Sequence, residues 1–240
     1  MSRATQKRIF ITGTDTDAGK TVATCALILQ LQQAQQSVMA VKPVAAGCEL
    51  IDGQLKNTDA LQMQQHLHQT TDYSRINPIA LEAAIAPHIA AQEEAQSLTV
   101  EQLSQQCHLA QFESDFVLVE GAGGWLVPLN SEQTYADFVE AENLDVILVV
   151  GMKLGCINHA LLTLESIKSR GLRLIGWIAN SVEQEMERYQ QNIDFLTGAI
   201  DAPLLGVIPH IKSAEKLTPQ QRNSQIVQTA SSYVNISTLI

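Results

Sequence analysis

Short apolar runs without polar alternation recur along the chain at 8–12, 38–41, 116–119, 146–150, 172–179 and 204–208. Strands of that kind are covered on both faces, as in parallel sheets. Parallel strands need long crossovers, and helical patterns fill the gaps at 19–35, 59–67, 100–111, 135–142, 157–170 and 184–196. The alternation predicts an α/β fold with a mainly parallel sheet flanked by helices on both faces. At roughly 150 residues per domain the prior is one to two domains. No repeat or linker divides the 240 residues, so a single domain over 1–240 is expected.

Two stretches break the rhythm. Residues 44–56 read as a loop longer than most connections, and such loops are usually functional or disordered. Residues 74–97, with Pro78 and Pro87, read as an excursion over the sheet's C-terminal edge. The polar, Gln-rich tail after Pro209 carries no clear pattern.

With 45% hydrophobic and 17% charged residues the chain is not a disordered one, and 5% aromatics predict an aliphatic core. The formal charge of −10 argues against nucleic acid or an anionic membrane as partner, but small anions remain open. The four cysteines form no CxxC pair, which argues against a disulfide scaffold or a zinc site. The first residues are polar and lack a signal-peptide core, and no apolar run reaches membrane-spanning length. A cytoplasmic protein is expected.

The strongest motif follows the first strand: Gly13-Thr14-Asp15-Thr16-Asp17-Ala18-Gly19-Lys20-Thr21. A strand, a glycine-containing loop and Gly-Lys-Thr opening a helix make a phosphate-binding loop. Its amides and the helix N-terminus converge on phosphate oxygens. Lys20 would neutralise β/γ charge and Thr21 would offer a hydroxyl to Mg²⁺. The usual spacing places the first glycine at position 14, and here it stands at Gly13. The plain alternative is a strand-turn-helix capped by Asp17 with a solvated lysine.

Other strand ends converge on the same crevice, because parallel strands point their C-terminal ends to one side. Val119-Glu120-Gly121-Ala122-Gly123-Gly124 ends a strand in a carboxylate fit for Mg²⁺, followed by glycines that let a ligand approach the backbone; a simple turn reads the same way. Lys42 ends the second strand and is either a site lysine or a surface lysine at the sheet edge. Asp59 alone reads as a helix cap or first-turn acid. Asn180 ends a late strand and either reads a purine edge or forms a turn. The Asp that a guanine reader would carry soon after it is missing, which favours ATP. The helix start at 154–158 offers amides to a carboxylate. Cys156 reads as a packed residue, and His66 and His68 as structural or solvated.

Together these segments resemble the dethiobiotin synthase family, over nearly the whole chain from Ile9 to about Pro209. The marks are residues 13–21, Lys-Pro-Val-Ala at 42–45, Asn-Thr-Asp-Ala at 57–60, Pro-His-Ile at 87–89, Val-Glu-Gly-Ala-Gly-Gly-Trp at 119–125 and Lys-Leu-Gly-Cys-Ile-Asn-His-Ala at 153–160. The resemblance implies a homodimeric P-loop enzyme that closes the ureido ring of dethiobiotin from 7,8-diaminononanoate, CO₂ and MgATP, through a carbamate and a carbamic-phosphoric mixed anhydride. By matching motif it implies that residues 13–21 hold the nucleotide, with Asn180 and Pro209 at the adenine. Thr16, Lys20 and Lys42 take the catalytic and phosphate positions, and Thr21, Asp59 and Glu120 the Mg²⁺ site. Lys42, Ala46, Gly123 and the segment Leu154, Gly155, Cys156, Ile157 and Asn158 receive the substrate, the last across the dimer interface. Two residues depart from the family pattern: Asp17 stands where Glu is common, and Ala46 where Ser is common, which removes one hydroxyl contact.

Rival readings are other ATPases of this class and a non-catalytic nucleotide-binding subunit. Partitioning ATPases often carry a second lysine early in the loop, where this chain has Asp15. Metal-centre maturation ATPases would usually show metal-binding Cys or His clusters, and amidotransferase synthetases need a glutaminase domain. A non-catalytic subunit would be expected to have lost Lys20, Thr21, Lys42 or Glu120, and all four are present.

Overall fold

The structure, a computed structural model, describes residues 6–181, 186–212 and 217–240. The helix start expected at 184 and the positions just after Ser181, where a guanine reader would carry its Asp, lie outside them. In chain order the elements are β1 (Lys7–Gly13), α1 (Lys20–Gln33), β2 (Val38–Val41), β3 (Val44–Ala45), β4 (Glu49–Ile51), β5 (Gln54–Lys56), α2 (Thr58–His66), α3 (Tyr73–Ile76), β6 (Ile79–Ala80), α4 (Pro87–Glu93) and α5 (Val100–Cys107). There follow β7 (Phe116–Glu120), α6 (Tyr135–Ala141), β8 (Asp145–Gly151), α7 (Cys156–Ser169), β9 (Leu174–Asn180), α8 (Tyr189–Ala199), β10 (Leu204–Ile208) and α9 (Pro219–Ser231).

Six strands form one sheet in the order β10-β9-β8-β1-β7-β2, and every neighbouring pair is parallel. Both faces are covered, which is why the strands read as unbroken apolar runs. Along β8, Leu148 and Val150 pack with Ala160, Leu164 and Leu196 of α7 and α8. The alternating Ile147 and Val149 belong to the larger core with Leu27 and Ile28 of α1 and Val227 of α9. The chain leaves β1 toward β2, returns through β7, and then crosses to β8 on the other side. That reversal opens the crevice at the C-terminal strand ends.

Several expectations need correction. The core is not purely aliphatic: Phe10 lies 6.2 Å from Trp125 and 5.9 Å from Tyr135, ring to ring, and Trp177, Phe116 and Phe138 are also fully buried. The few aromatics are concentrated inside, so a low total did not mean an aliphatic interior. The helix expected at 100–111 stops at Cys107, because His108 adopts φ 46° and a 3₁₀ turn follows at Leu109–Gln111. The late helix runs over Tyr189–Ala199, past its expected end at 196. The stretch at 44–56 is not one loop. It contains β3, which pairs in parallel with β6 from the 74–97 excursion, and the β4–β5 hairpin.

The Gln-rich tail forms α9, which starts at Thr218 with a reciprocal capping box to Gln221 and Pro at its first turn. The chain then straps the edge of the sheet. Asn235 N–H donates to Leu205 O at 2.7 Å, Val234 bridges Gly206 in antiparallel fashion, and Lys7 Nζ donates to Leu239 O at 2.5 Å. An edge strand with free backbone groups is a pairing hazard, and here the strap occupies part of it.

Candidate active site

The loop after β1 folds tightly on itself. A side chain at Gly13 would meet Ala18 Cβ and Asp15 O, both at 3.0 Å, which accounts for a glycine at this position in place of the next. Gly19, at φ 84°, turns the chain into α1 with no side-chain cap, so Asp17 does not cap the helix. Thr14 Oγ1 accepts from Gly151 N–H at 3.1 Å and so ties the loop to the end of β8. Thr16 and Asp17 are exposed, while Ala18 and Lys20 are buried. The amides of the first turn of α1 have no partners within the helix, which makes this an anion-binding end.

Lys20 Nζ donates to the carbonyls of Asp15 (3.2 Å), Thr16 (3.1 Å) and Gly123 (2.5 Å). Burial pulls this lysine down to about 8, with Glu120 opposing and Lys42 adding to the fall. Gly123, at φ +65°, leaves no room for a side chain beside Val127. The turn after β7 therefore brings its carbonyl onto Lys20.

Lys42 is buried just past the end of β2, the edge strand of the sheet, and is not a surface lysine. Its Nζ donates to Glu120 Oε1 at 2.7 Å and lies 3.1 Å from Asp59 Oδ2. Burial works to lower its pKa, but Glu120 and Asp59 overcome this and hold the ammonium well above its ordinary value. Asp59 in turn is raised by burial and lowered by Lys42, Thr21 and Lys20, ending below the usual carboxylate value. The cap of α2 is Asn57, whose Oδ1 accepts Asp59 N–H at 2.9 Å, so the Asp59 carboxylate is left for Lys42. Glu120 is 0% exposed. Its Oε1 also accepts from Thr21 Oγ1 at 2.9 Å, and its Oε2 is buried without a hydrogen-bond partner.

That orphaned oxygen, with the Asp59 carboxylate and the Thr21 hydroxyl beside it, is the kind of hard oxygen donor set that Mg²⁺ takes. No group of three or more His, Cys, Asp or Glu side chains suited to a metal occurs among the described residues. Two carboxylates and one hydroxyl fall outside that pattern yet suit an ion that takes most of its ligands from water and phosphate.

Asn180 is buried at the end of β9 and donates from Nδ2 to Ala18 O at 2.9 Å. Its pairing with Ile208 sets Pro209 beside it. The segment at 154–158 lies apart from the Lys42 cluster. Gly155 (φ 95°) opens α7, Cys156 is buried, Asn158 is exposed, and Leu154 is 92% exposed. The segment's link to the loop is the neighbouring Lys153, paired with Asp15 at 2.6 Å. Ala46 is half-buried, and its carbonyl accepts from Asn57 Nδ2 at 3.3 Å. A surface cavity of about 430 Å³, lined by Val38, Asp72, Arg75 and Ser114 among others, opens at the opposite end of the sheet and takes no part in this cluster. Sequence reading missed Tyr73 and Asn77, and gave no role of their own to Asn57 and Lys153 although both stand in the family's motifs; the Asn-Pro pair at 77–78 is a turn signal, but nothing local pointed it at Lys42.

A parallel sheet with this loop at its first strand end, and a lysine–carboxylate cluster beside it, defines a P-loop nucleotide-binding protein. Solved structures agree on the fold: the chain superposes on the septum site-determining protein MinD of Pyrococcus horikoshii (TM-score 0.52, 18% identity, 94% of each chain). It also superposes on the MinC:MinD complex of Aquifex aeolicus (TM-score 0.55, 15% identity, 94% of each chain). The AAA domain family profile matches residues 7–218. Among curated relatives, an ATP-dependent dethiobiotin synthetase BioD of Cellvibrio japonicus is 49% identical over 209 residues, 87% of this chain and 92% of the relative. One of Alteromonas mediterranea is 47% identical over 215 residues, 85% of this chain and 92% of the relative. The chain belongs to the ATP-dependent dethiobiotin synthetase family.

Proposed function

We propose that this chain, acting as one catalytic domain over 1–240, closes the ureido ring of dethiobiotin from 7,8-diaminononanoate and CO₂ at the expense of ATP. The observation that carries the reading is Lys42, buried between Glu120 and Asp59 and facing the loop that holds Lys20.

One amine of the substrate adds to CO₂ and loses a proton, giving a carbamate. A carbamate oxygen then attacks the γ-phosphorus, and ADP leaves. The second amine attacks the carbonyl carbon of the mixed anhydride, the C–O bond to phosphate breaks, and a second proton is released. Such a reaction needs positioning and charge neutralisation, with no protein nucleophile. Lys20 and the amides of residues 13–21 hold the β- and γ-phosphates. Lys42, kept cationic by its two carboxylates, holds the carbamate against the γ-phosphate despite their mutual repulsion. Thr16 borders the same space. Thr21, Asp59 and Glu120 would hold Mg²⁺, which when bound neutralises phosphate charge. Asn180 and Pro209 close the adenine end.

Ala46 and Gly123 line the substrate side, and the amides of Leu154, Gly155, Cys156, Ile157 and Asn158 receive the substrate carboxylate from a second copy in a cytoplasmic homodimer. Among the described residues no helix is long and apolar enough to cross a membrane.

The test is phosphate release from MgATP with and without 7,8-diaminononanoate and bicarbonate, with the product identified by mass spectrometry. Release that needs both additions and yields dethiobiotin establishes the reaction. Hydrolysis indifferent to the diamine would overturn it and leave an ATPase of the same class.

A further inference from the structure

Lys42 and Asp59 are joined a second time, behind their side chains, by a buried polar chain. Asn77 Nδ2 donates to Lys42 O at 2.8 Å and to Ile79 O at 3.0 Å. Asn77 Oδ1 accepts from the Tyr73 hydroxyl at 3.0 Å. The same phenol oxygen accepts from Asn57 N–H at 2.6 Å, and Asn57 Oδ1 caps Asp59 N–H. Tyr73, Asn77 and Asn57 are only 6%, 3% and 8% exposed. Burial pushes the phenol up to about 12, so it remains a donor.

Lys42 follows β2 and Asp59 opens α2, with β3 and the β4–β5 hairpin between them, so their separation is set by contacts between segments, among them Asn57 Nδ2 to Ala46 O. A fully bonded buried polar network holds one geometry where apolar packing tolerates several. We propose that Tyr73 and Asn77, acting through Asn57, are positioning residues that set the Lys42 ammonium opposite the Asp59 carboxylate. The inference rests on the ligase reading for its kinetic consequence and on the network alone for its structural one.

The experiment compares the full-length protein with Tyr73→Phe, Asn57→Ala and Asn57→Ser in diamine-dependent phosphate release, alongside thermal melts. Tyr73→Phe is expected to lower kcat by about tenfold to a hundredfold, the scale of a misplacement approaching one ångström, with the KM for ATP changed by less than about twofold. The fall should vanish in an Asp59→Asn background, since residues acting as one unit are not additive. Asn57→Ser keeps a capping oxygen and should recover most of what Asn57→Ala loses. An unchanged kcat in Tyr73→Phe, or the same fall in both backgrounds, overturns the inference. Should Tyr73→Phe fail to fold, equal rates for Asn57→Ser and Asn57→Ala overturn it. A readout independent of turnover is the ¹H–¹⁵N signal of the buried Lys42 ammonium, which Tyr73→Phe should shift or broaden; an unmoved signal also overturns the proposal. Wild-type protein without diamine-dependent turnover would instead sink the ligase reading, and the ammonium signal would still judge the network.

Discussion

Lys20 is held by three backbone carbonyls and Lys42 by two carboxylates, so two neighbouring ammonium groups are stabilised in different ways. Removing the first takes away the proposed phosphate cation and leaves three carbonyls without their donor. Lys20→Ala should cut phosphate release by at least about a hundredfold, the cost of one well-placed electrostatic donor, in protein that still melts cooperatively. Near-normal turnover would end the loop assignment. Glu120→Gln keeps acceptor oxygen for Thr21 and Lys42 but loses the charge. Its expected signature is a lower kcat and a raised Mg²⁺ concentration for half-maximal rate, read from a Mg²⁺ titration. The Gly-Lys-Thr loop and Glu120 were legible because strand, turn and helix signals agree within a few residues of each other. The pairing of Lys42 with Asp59, and the Tyr73–Asn77 chain behind it, was not. Those contacts join segments distant in sequence, and each member alone looks like a cap, a turn or a surface charge.

At the scale of elements, helix α6 depends on Asp137. Its carboxylate accepts from Thr134 N–H and Oγ1 and from Arg170. Burial alone would raise this carboxyl, but Arg170 and Thr134 hold it below its ordinary value. Its contribution is therefore fully present above the unfolded carboxylate pKa, about 3.9, and is lost as pH falls through the lower folded value. Melting curves of wild type and Asp137→Asn should differ at neutral pH and converge on acidification below about pH 4; a constant gap would show that the charge is irrelevant. Gly206 matters for a different reason. A Cβ there would overlap the Tyr233 carbonyl, so Gly206→Ala should cost about 1–3 kcal/mol by overpacking, seen as a lower denaturant midpoint. Wild-type stability would mean that the strap yields freely. The sheet strands were legible almost to the residue because burial on both faces leaves an unmistakable apolar run. The strap and the β3–β6 pair were not, since their paired segments are short and gain their structure from distant partners; the β4–β5 hairpin is a local pairing across Asp52-Gly53, a turn signal read only as loop.

For the whole molecule, the proposed dimer gives the most direct check. Light scattering should report twice the 26.2 kDa chain mass. Leu154→Asp should lower that mass at working concentrations and raise the KM for the diamine more than that for ATP. A variant that stays dimeric with an unchanged KM would remove 154–158 from the interface. The sheet order carries a consequence of another kind. Of the six strands of this sheet β1 is synthesised first, yet it lies between β7 and β8, which are made much later. Until β7 has emerged, about halfway along the chain, Phe10 and Ile11 have no neighbouring strand to pair with. Non-local pairing of this kind slows folding and lengthens exposure to aggregation, so the burden on cellular chaperones falls before the protein has a nucleotide site at all.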